Sequence, residues 1–330
     1  MAETLLEIKN LHIDYPINIG NVKAVEDVSV TLNKGEALGL VGESGCGKST
    51  LGLSILRMVR PPGMISSGEM IFKGRDILKM SQRQVLKLRG QEIAMVFQNP
   101  LTSLNPLFRV DKQFLETIQQ HEPWVKKDEA LRRAENIMDA LGIEKPRLYA
   151  YPHELSGGMR QRMMIGLGLI MNPDIIIADE PTTSLDVIVE AGFVDMLKRL
   201  RKEFDLSIIL ITHNLGMVAE IVDRLAVMYG GQIIEEGMAG DIYHNMLHPY
   251  TYGLINCVPN IKIDQEELIT MPGNPPALVD PPDACRFADR CPYVMDVCNQ
   301  KNPPLKEYRE GHKTACWLYE EGKGQPWKTS

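Results

Sequence analysis

One short stretch constrains the fold of this 330-residue chain most strongly. Residues 42–49, Gly-Glu-Ser-Gly-Cys-Gly-Lys-Ser, fit the pattern G-x-x-x-x-G-K-[ST] without deviation. The apolar run at 37–41 predicts a buried strand before it, and residues 49–57 predict a helix after it. A glycine-rich loop in that position points backbone N–H groups and a helix N-terminus at anionic oxygens. We therefore expect a phosphate-binding loop in which Lys48 reaches the β- and γ-phosphates and the Ser49 hydroxyl binds Mg²⁺.

A second feature is an apolar strand that ends in two carboxylates. Residues 175–178 are Ile-Ile-Ile-Ala, and Asp179 and Glu180 follow them. Asp179 at the strand tip is placed to hold Mg²⁺ directly or through water, and Glu180 is the candidate base that polarises an attacking water. Residues 207–211 predict another continuous apolar strand, as in a sheet with helices on both faces. Together with the phosphate loop, these residues predict an NTPase with an α/β fold.

Local patterns predict the elements between these features. Residues 7–15 alternate roughly with period two, and residues 5 to about 42 predict short strands. Residues 75–170 predict mostly helices, and apolar side chains at helical spacing predict an amphipathic helix over residues 126–141.

The residues that separate one class of NTPase from another are 155–161, Leu-Ser-Gly-Gly-Met-Arg-Gln. This stretch resembles the LSGGQ-type signature of the ABC ATPase superfamily. The resemblance covers nearly everything from residue 5 to about residue 240. It includes Gln98 after a strand, the Ser-Leu-Asp turn at 184–186 and His213 at the end of a strand.

The resemblance implies an ABC ATPase domain at residues 1–245, with a RecA-like core, an antiparallel β subdomain and a helical subdomain at about 99–170. It implies that Glu180, His213 and Gln98 are catalytic, with His213 on the γ-phosphate and Gln98 on the metal or the attacking water. The expected Mg²⁺ ligands are Ser49, Gln98 and Asp179. The residues expected to contact ATP are Tyr15, Gly42, Ser44, Gly45, Cys46, Gly47, Lys48, Ser49, Thr50, Ser156, Gly157, Gly158 and Asp186.

Three of these contacts have particular roles. Residues 156–158, Ser-Gly-Gly, precede a helical stretch and offer N–H groups and a hydroxyl at a positive helix end, which suits a γ-phosphate. By the resemblance, they complete the ATP site of a partner subunit in a head-to-tail dimer, and Asp186 crosses that interface. By the same resemblance, Tyr15 stacks on adenine.

Composition limits where the chain works. The net charge of −7 argues against broad binding to nucleic-acid phosphates. No run of apolar residues approaches the length of about 18 that spans a bilayer. The first five residues include an acidic side chain, whereas a signal peptide begins with basic side chains. We expect a peripheral protein at the cytoplasmic face of the cell membrane. The expected partners are a second ABC ATPase subunit, identical or related, two transmembrane permease subunits and, through them, an external solute-binding protein.

Composition changes near residue 245. Eleven of the 21 prolines and five of the six cysteines follow that point. We expect residues 246–330 to form a small irregular appendage. Its features include the sequence His-Pro-Tyr-Thr at 248–251 and the spacing C-x5-C-x6-C-x17-C from Cys285 to Cys316. This segment resembles the C-terminal region of ATPase subunits from dipeptide and oligopeptide importers.

Four cysteines at that spacing predict a metal site. They are Cys285, Cys291, Cys298 and Cys316. Four thiolates suit either tetrahedral Zn²⁺ or a [4Fe–4S] cluster. The absence of a C-x2–4-C knuckle and the wide gaps between the cysteines favour the cluster. Some ATPase subunits of the importers that this segment resembles carry such a cluster. A zinc site and four free buried thiols are the alternatives. The expected role of a metal site is to stabilise the structure of this proline-rich segment.

The leading function is therefore an ATP-hydrolysing subunit of an ABC importer for dipeptides or oligopeptides. A related solute such as nickel or a metal chelate is the first alternative. ABC ATPases that act on DNA or in iron–sulfur assembly are others. The DNA-acting class is disfavoured because Lys48 and Asp179 are only 131 positions apart, with no sustained heptads between them.

Overall fold

The computed structural model describes residues 3–98, 104–182, 187–257, 271–320, 322 and 324–328. The chain forms two compact units. The first comprises residues 1–3, 33–37 and 79–211, and the second comprises residues 4–32, 38–78 and 212–330.

Strands and helices are numbered here along the chain. The strands are β1 (Thr4–Ile17), β2 (Gly20–Asn33), β3 (Ala37–Val41), β4 (Met64–Phe72), β5 (Arg75–Asp76), β6 (Ile93–Val96), β7 (Ile175–Asp179), β8 (Ser207–Thr212), β9 (Arg224–Tyr229), β10 (Gln232–Met238), β11 (Lys306–Arg309) and β12 (His312–Thr314). The helices are α1 (Lys48–Ile55), α2 (Gln82–Gln91), α3 (Val110–His121), α4 (Lys127–Ala140), α5 (Gly157–Leu169), α6 (Val187–Glu203), α7 (Leu215–Ile221), α8 (Ala239–Asn245), α9 (Pro249–Asn256) and α10 (Trp317–Glu320).

The first unit has a parallel sheet at its centre. β7 pairs in parallel with β6 and with β8. All five residues of β7 are buried, and four of them are apolar. Helices cover such strands on both faces, which explains the continuous apolar sequence. The carboxyl end of β7 is where Asp179 lies.

The helices of this unit follow their sequence patterns. In α4, Ala130, Ala134, Ile137 and Met138 are buried, and they lie on one face at helical spacing. The predicted helix at 126–141 is thus confirmed to within one residue at each end. α2 begins at a capping box, in which Ser81 accepts from the amide of Gln84 while the Gln84 side chain accepts from the amide of Ser81.

The second unit contains an antiparallel sheet in the order β2-β1-β4-β5. β1 and β2 are 14 residues each, so the short strands expected there are wrong in length, whereas β3 has the expected five residues. The register pairs Leu6 with Phe72 and Ile8 with Met70, and these four side chains are fully buried. The pairing of β1 with β4 shifts in register on both sides of His12.

The second unit also holds the strand before the phosphate loop. β3 pairs in parallel with β9, and β9 continues into β10 through Gly230 and Gly231. β12 pairs antiparallel with the other edge of β10, and β11 pairs with β12. The proline-rich segment therefore has main-chain pairing of its own. Within the described residues, no helix has the length and apolar character needed to cross a bilayer.

Candidate active site

The loop between β3 and α1 is tightly built. Gly47 has φ of +104°, and a Cβ there would lie 2.2 Å from the carbonyl oxygen of Ala24. Gly42 has φ of +149°, and its Cβ would lie 2.2 Å from the carbonyl oxygen of Met228. Side chains at either position would therefore clash with backbone as well as strain φ. The two glycines let the loop lie against neighbouring backbone.

Lys48 lies inside this loop and is only 5% exposed. Its ammonium donates to the carbonyl oxygens of Gly42 and Glu43, each at 2.8 Å, and lies 3.6 Å from the Cys46 sulfur. Burial raises the pKa of the Cys46 thiol, so this thiol stays protonated near neutral pH. Ser49 and Thr50 follow in the first turn of α1, with Ser49 exposed.

The first unit brings two predicted catalytic residues together. The Gln98 amide donates to a Glu180 carboxylate oxygen at 2.6 Å. Gln98 lies just after β6 and Glu180 just after β7, and neighbouring parallel strands end at the same sheet edge. Glu180 has φ of +45°, and its amide donates to the carbonyl of Ile211 at 2.7 Å. Asp179, one residue earlier, is 8% exposed.

The signature residues begin a helix, as predicted from the sequence. Ser156 is the N-cap of α5, and its hydroxyl accepts from the amide of Met159 at 3.3 Å. Gly157 has open space where a Cβ would point, whereas a Cβ at Gly158 would lie 2.9 Å from a methyl group of Val189. The start of this helix therefore presents free backbone on the Gly157 side.

The other predicted residues fall in the second unit or outside the description. Tyr15 near the end of β1 is half-buried, and its ring covers Gly63 so closely that a Cβ there would lie 2.4 Å from it. His213 directly follows β8 and is exposed. Asp186 lies outside the described residues. The roles assigned to all these residues from the sequence stay predictions.

One contact at the phosphate loop was missed by sequence reasoning. Arg290 donates to both carboxylate oxygens of Glu43, at 2.7 and 3.0 Å. The Glu43 amide donates to the Tyr250 hydroxyl at 2.9 Å. Both partners come from the proline-rich segment. No local sequence pattern links residues that are 247 positions apart, so the sequence does not predict the pairing of Arg290 with Glu43.

The four cysteines lie in that same segment and are free thiols, with Cys298 buried and the others partly so. Burial raises the pKa values of Cys285 and Cys316 to about 12 and that of Cys291 to about 11. The Cys285 amide donates to the Cys298 carbonyl at 2.8 Å. Within the described ranges, no group of three or more His, Cys, Asp or Glu side chains could hold a metal ion. The predicted cluster or zinc site is therefore not supported by the side-chain arrangement.

Comparison with protein families matches two parts of the chain. Residues 25–183 match the ABC transporter family, and residues 234–298 match the oligopeptide/dipeptide transporter C-terminal region. The chain is 43% identical over 318 residues to the oligopeptide transport ATP-binding protein OppD of Bacillus subtilis, covering 95% of this chain and 88% of that protein. It is 42% identical over 322 residues to the dipeptide transport ATP-binding protein DppD of Bacillus subtilis, covering 97% and 96%.

Solved structures give the same fold for the ATPase part. A dimeric post-hydrolysis state of the ATP-binding cassette MJ0796, bound to ADP and Pi, matches with a TM-score of 0.63 and 25% identity, covering 71% of this chain and 99% of that one. CbiO1 from Clostridium perfringens, part of the ABC transporter complex CbiONQ, matches with a TM-score of 0.65 and 27% identity, covering 74% and 92%. The shared fold is a P-loop ATPase with mixed and antiparallel sheets.

Proposed function

The chain belongs to the oligopeptide and dipeptide transport ATP-binding proteins of the ABC transporter family, and we propose that it hydrolyses ATP to power uptake of dipeptides or oligopeptides. The observation that carries this proposal is the nearly full-length match to proteins named for that transport. A match confined to residues 25–183 would support only an ABC ATPase. The additional match at 234–298 favours the peptide-importing branch.

The phosphate loop would bind the triphosphate through Lys48 and Ser49. The Lys48 ammonium now donates to two loop carbonyls, and phosphate oxygens would take their place as acceptors. The hydroxyl of Ser49 and the carboxylate of Asp179 are oxygen ligands of the kind that Mg²⁺ prefers. Bound Mg²⁺ would neutralise charge that develops on the phosphates.

Glu180 would accept a proton from the attacking water. Its carboxylate needs a fixed direction to do so, and the Gln98 amide holds one of its oxygens at 2.6 Å. The predicted role of His213 on the γ-phosphate completes this set.

Ser156, Gly157 and Gly158 would act on a partner's nucleotide. A helix N-terminus with an open glycine suits a γ-phosphate, and the ATPase would therefore work as a dimer of identical or related chains. Its further partners would be two permease subunits and, through them, an external solute-binding protein. These would hold the chain at the cytoplasmic face of the membrane.

The four cysteines are proposed to carry a [4Fe–4S] cluster, with Zn²⁺ as the alternative. The support is chemical: four cysteines lie within residues 285–316, and four thiolates suit either group. The side chains do not form a metal site as they stand, so loading would require them to move. Iron and zinc analysis of the chain purified without oxygen tests this. Cys291→Ser should lose the metal and Cys257→Ser should keep it, whereas metal-free wild type would refute the proposal.

The test of the main proposal is hydrolysis and uptake. Glu180→Gln should keep ATP binding, lower turnover by roughly 10²–10⁴ and trap an ATP-bound dimer. Glu203→Gln, an exposed change at the end of α6, should leave turnover unchanged. Cells that lack the chain should lose uptake of labelled dipeptides or oligopeptides. Loss of nickel uptake alone would reassign the solute, and turnover stimulated by DNA would reassign the class.

A further inference from the structure

Residues 271–292 of the C-terminal segment lie against the phosphate loop within the second unit. The Lys23 amide at the start of β2 donates to the Leu278 carbonyl at 2.8 Å, and the Asp280 amide donates to the Asn21 carbonyl at 2.9 Å. Pro275, Pro276 and Leu278 line a narrow cleft together with loop residues 43–46 and Tyr229. The segment therefore follows β2 and then passes directly beside the loop.

Arg290 makes the strongest contact of this segment with the loop. Two of its nitrogens bind the two oxygens of the Glu43 carboxylate, the bidentate geometry that gives strong and directional ion pairs. The Arg290 side chain is 6% exposed and that of Glu43 is 23% exposed. The hydrogen bond to Glu43 raises the pKa of the Arg290 guanidinium above its already high ordinary value. The Arg290 guanidinium is therefore charged at any physiological pH.

Arg290 is itself fixed by other contacts. Its Nε donates to the Pro272 carbonyl at 2.8 Å, and a terminal nitrogen donates to the Tyr229 hydroxyl at 3.2 Å. Its guanidinium also lies over the Tyr229 ring, 5.7 Å from the centroid. Bonds on three sides leave the guanidinium one orientation, and that orientation meets Glu43.

An aromatic cluster holds the frame around this pair. Tyr229, Tyr250 and Phe287 are each at most 2% exposed, with ring centroids between 4.5 and 5.5 Å apart. The Tyr250 hydroxyl accepts from the backbone amide of Glu43, so the loop is held at its main chain as well. Such packed rings change position only with large rearrangement.

The Glu43 carboxylate is out of place unless it is neutralised. It belongs to a loop whose amides and Lys48 serve to attract a triphosphate, and a bare carboxylate there would repel it. Coulomb interaction between nearby charges is strong at a partly buried site. Arg290 supplies the compensating charge and keeps the carboxylate turned toward the C-terminal segment.

We propose that Arg290 is a positioning residue for ATP, and that the C-terminal segment sets the ATP affinity of the phosphate loop through the Arg290–Glu43 pair. This inference rests on the proposed ATPase function. It gives a second role to a segment for which the sequence predicts only an irregular appendage stabilised by a metal site. Arg290 touches no nucleotide and acts only through Glu43.

The test is a set of variants of the full-length chain, measured for ATP affinity and turnover. Arg290→Gln should raise the KM for ATP about tenfold, which corresponds to about 1.4 kcal/mol, while kcat stays within about twofold. The rise should shrink at high salt because salt screens the repulsion between the uncompensated Glu43 carboxylate and the nucleotide. In Arg290→Gln with Glu43→Gln, KM should return to within about threefold of wild type, since no charge remains to compensate.

A matched control is Arg286→Gln. Arg286 lies in the same segment, is 6% exposed at its side chain and ion-pairs with Glu26 on β2 rather than with the loop. It should lower thermal stability about as much as Arg290→Gln and leave the KM for ATP unchanged.

The outcomes separate this inference from the function on which it rests. If wild type neither binds nor hydrolyses ATP, the proposed function fails. If wild type is active and Arg290→Gln has a normal KM, the positioning role is refuted while the function stands. If the double variant is as impaired as Arg290→Gln alone, the effect is not one of charge and the inference is likewise overturned.

Discussion

Removing the Glu235 side chain on β10 should strongly destabilise the second unit. The Glu235 carboxylate is fully buried and accepts three hydrogen bonds. The donors are the amide of Leu247 at 2.6 Å, the amide of His248 at 2.9 Å and the His312 ring at 2.8 Å. It thereby joins β10, the turn between α8 and α9, and β12. Glu235→Ala would leave all three donors without their acceptor.

The magnitude follows from those contacts. A buried donor left without a partner costs about 1–3 kcal/mol, and three donors lose their acceptor here. These costs overlap, because one void admits water that relieves several donors at once. We expect a loss of about 4 kcal/mol in the free energy of unfolding. For a domain of roughly 150–250 residues, each kcal/mol lowers Tm by about 2–4 °C, so Tm should fall by roughly 8–16 °C.

Thermal unfolding followed by circular dichroism measures this directly. The control is Glu320→Ala, which removes an exposed carboxylate bonded to Lys306 at 2.6 Å in the same segment. An exposed ion pair contributes little, and this control should shift Tm by no more than about 1 °C. A Tm drop below about 3 °C for Glu235→Ala would show that the segment is held by other contacts and that the reasoning from buried donors is wrong.

Two further predictions concern assembly and pH. Ser156→Arg should leave ATP binding by the isolated chain intact but block ATP-dependent dimerisation in analytical ultracentrifugation, and lost monomer affinity would contradict the shared-site arrangement. Burial lowers the pKa of His248 from its ordinary value to about 3. The unfolded chain therefore takes up a proton below about pH 6.5 that the folded chain resists, and stability falls by up to about 1.4 kcal/mol per pH unit from there toward pH 3. His248→Asn, which can still cap α9, should remove that part of the slope in urea titrations from pH 7 to pH 4, and an unchanged slope would refute the assignment.

The phosphate loop and its flanking elements could be predicted because their physics is local. The strand at 37–41 is confirmed residue for residue as β3, since a strand buried on both faces must be continuously apolar. The helix start at Ser156 was visible for the same reason, because a serine before glycines is a favoured N-cap. Such features need no knowledge of the rest of the chain.

Contacts between distant parts of the chain could not be predicted. Gln98 and Glu180 were each assigned a role, yet their 2.6 Å hydrogen bond follows from the order of β6 and β7 in the sheet. Glu43 occupies a position of the loop pattern that any residue can fill, so the pattern predicts no role for it. Its partner Arg290 directly precedes Cys291, and the cysteine spacing there predicts metal binding rather than an ion pair. The proposed role of Glu43 and Arg290 follows from their contact in the folded chain and not from the composition of the sequence.

Three contacts tie the part of the chain after residue 245 to the rest of the second unit, and they differ in kind. β12 pairs with β10 by main-chain hydrogen bonds, Glu235 accepts from buried donors of two segments, and Arg290 holds Glu43 in the phosphate loop. A chain cut at residue 245, the predicted domain boundary, would lose all three. It would expose one edge of β10, which is an aggregation hazard, and leave the Glu43 carboxylate uncompensated beside the triphosphate. A shortened chain that stayed monomeric and bound ATP normally would contradict this account, because each of the three contacts predicts a separate defect.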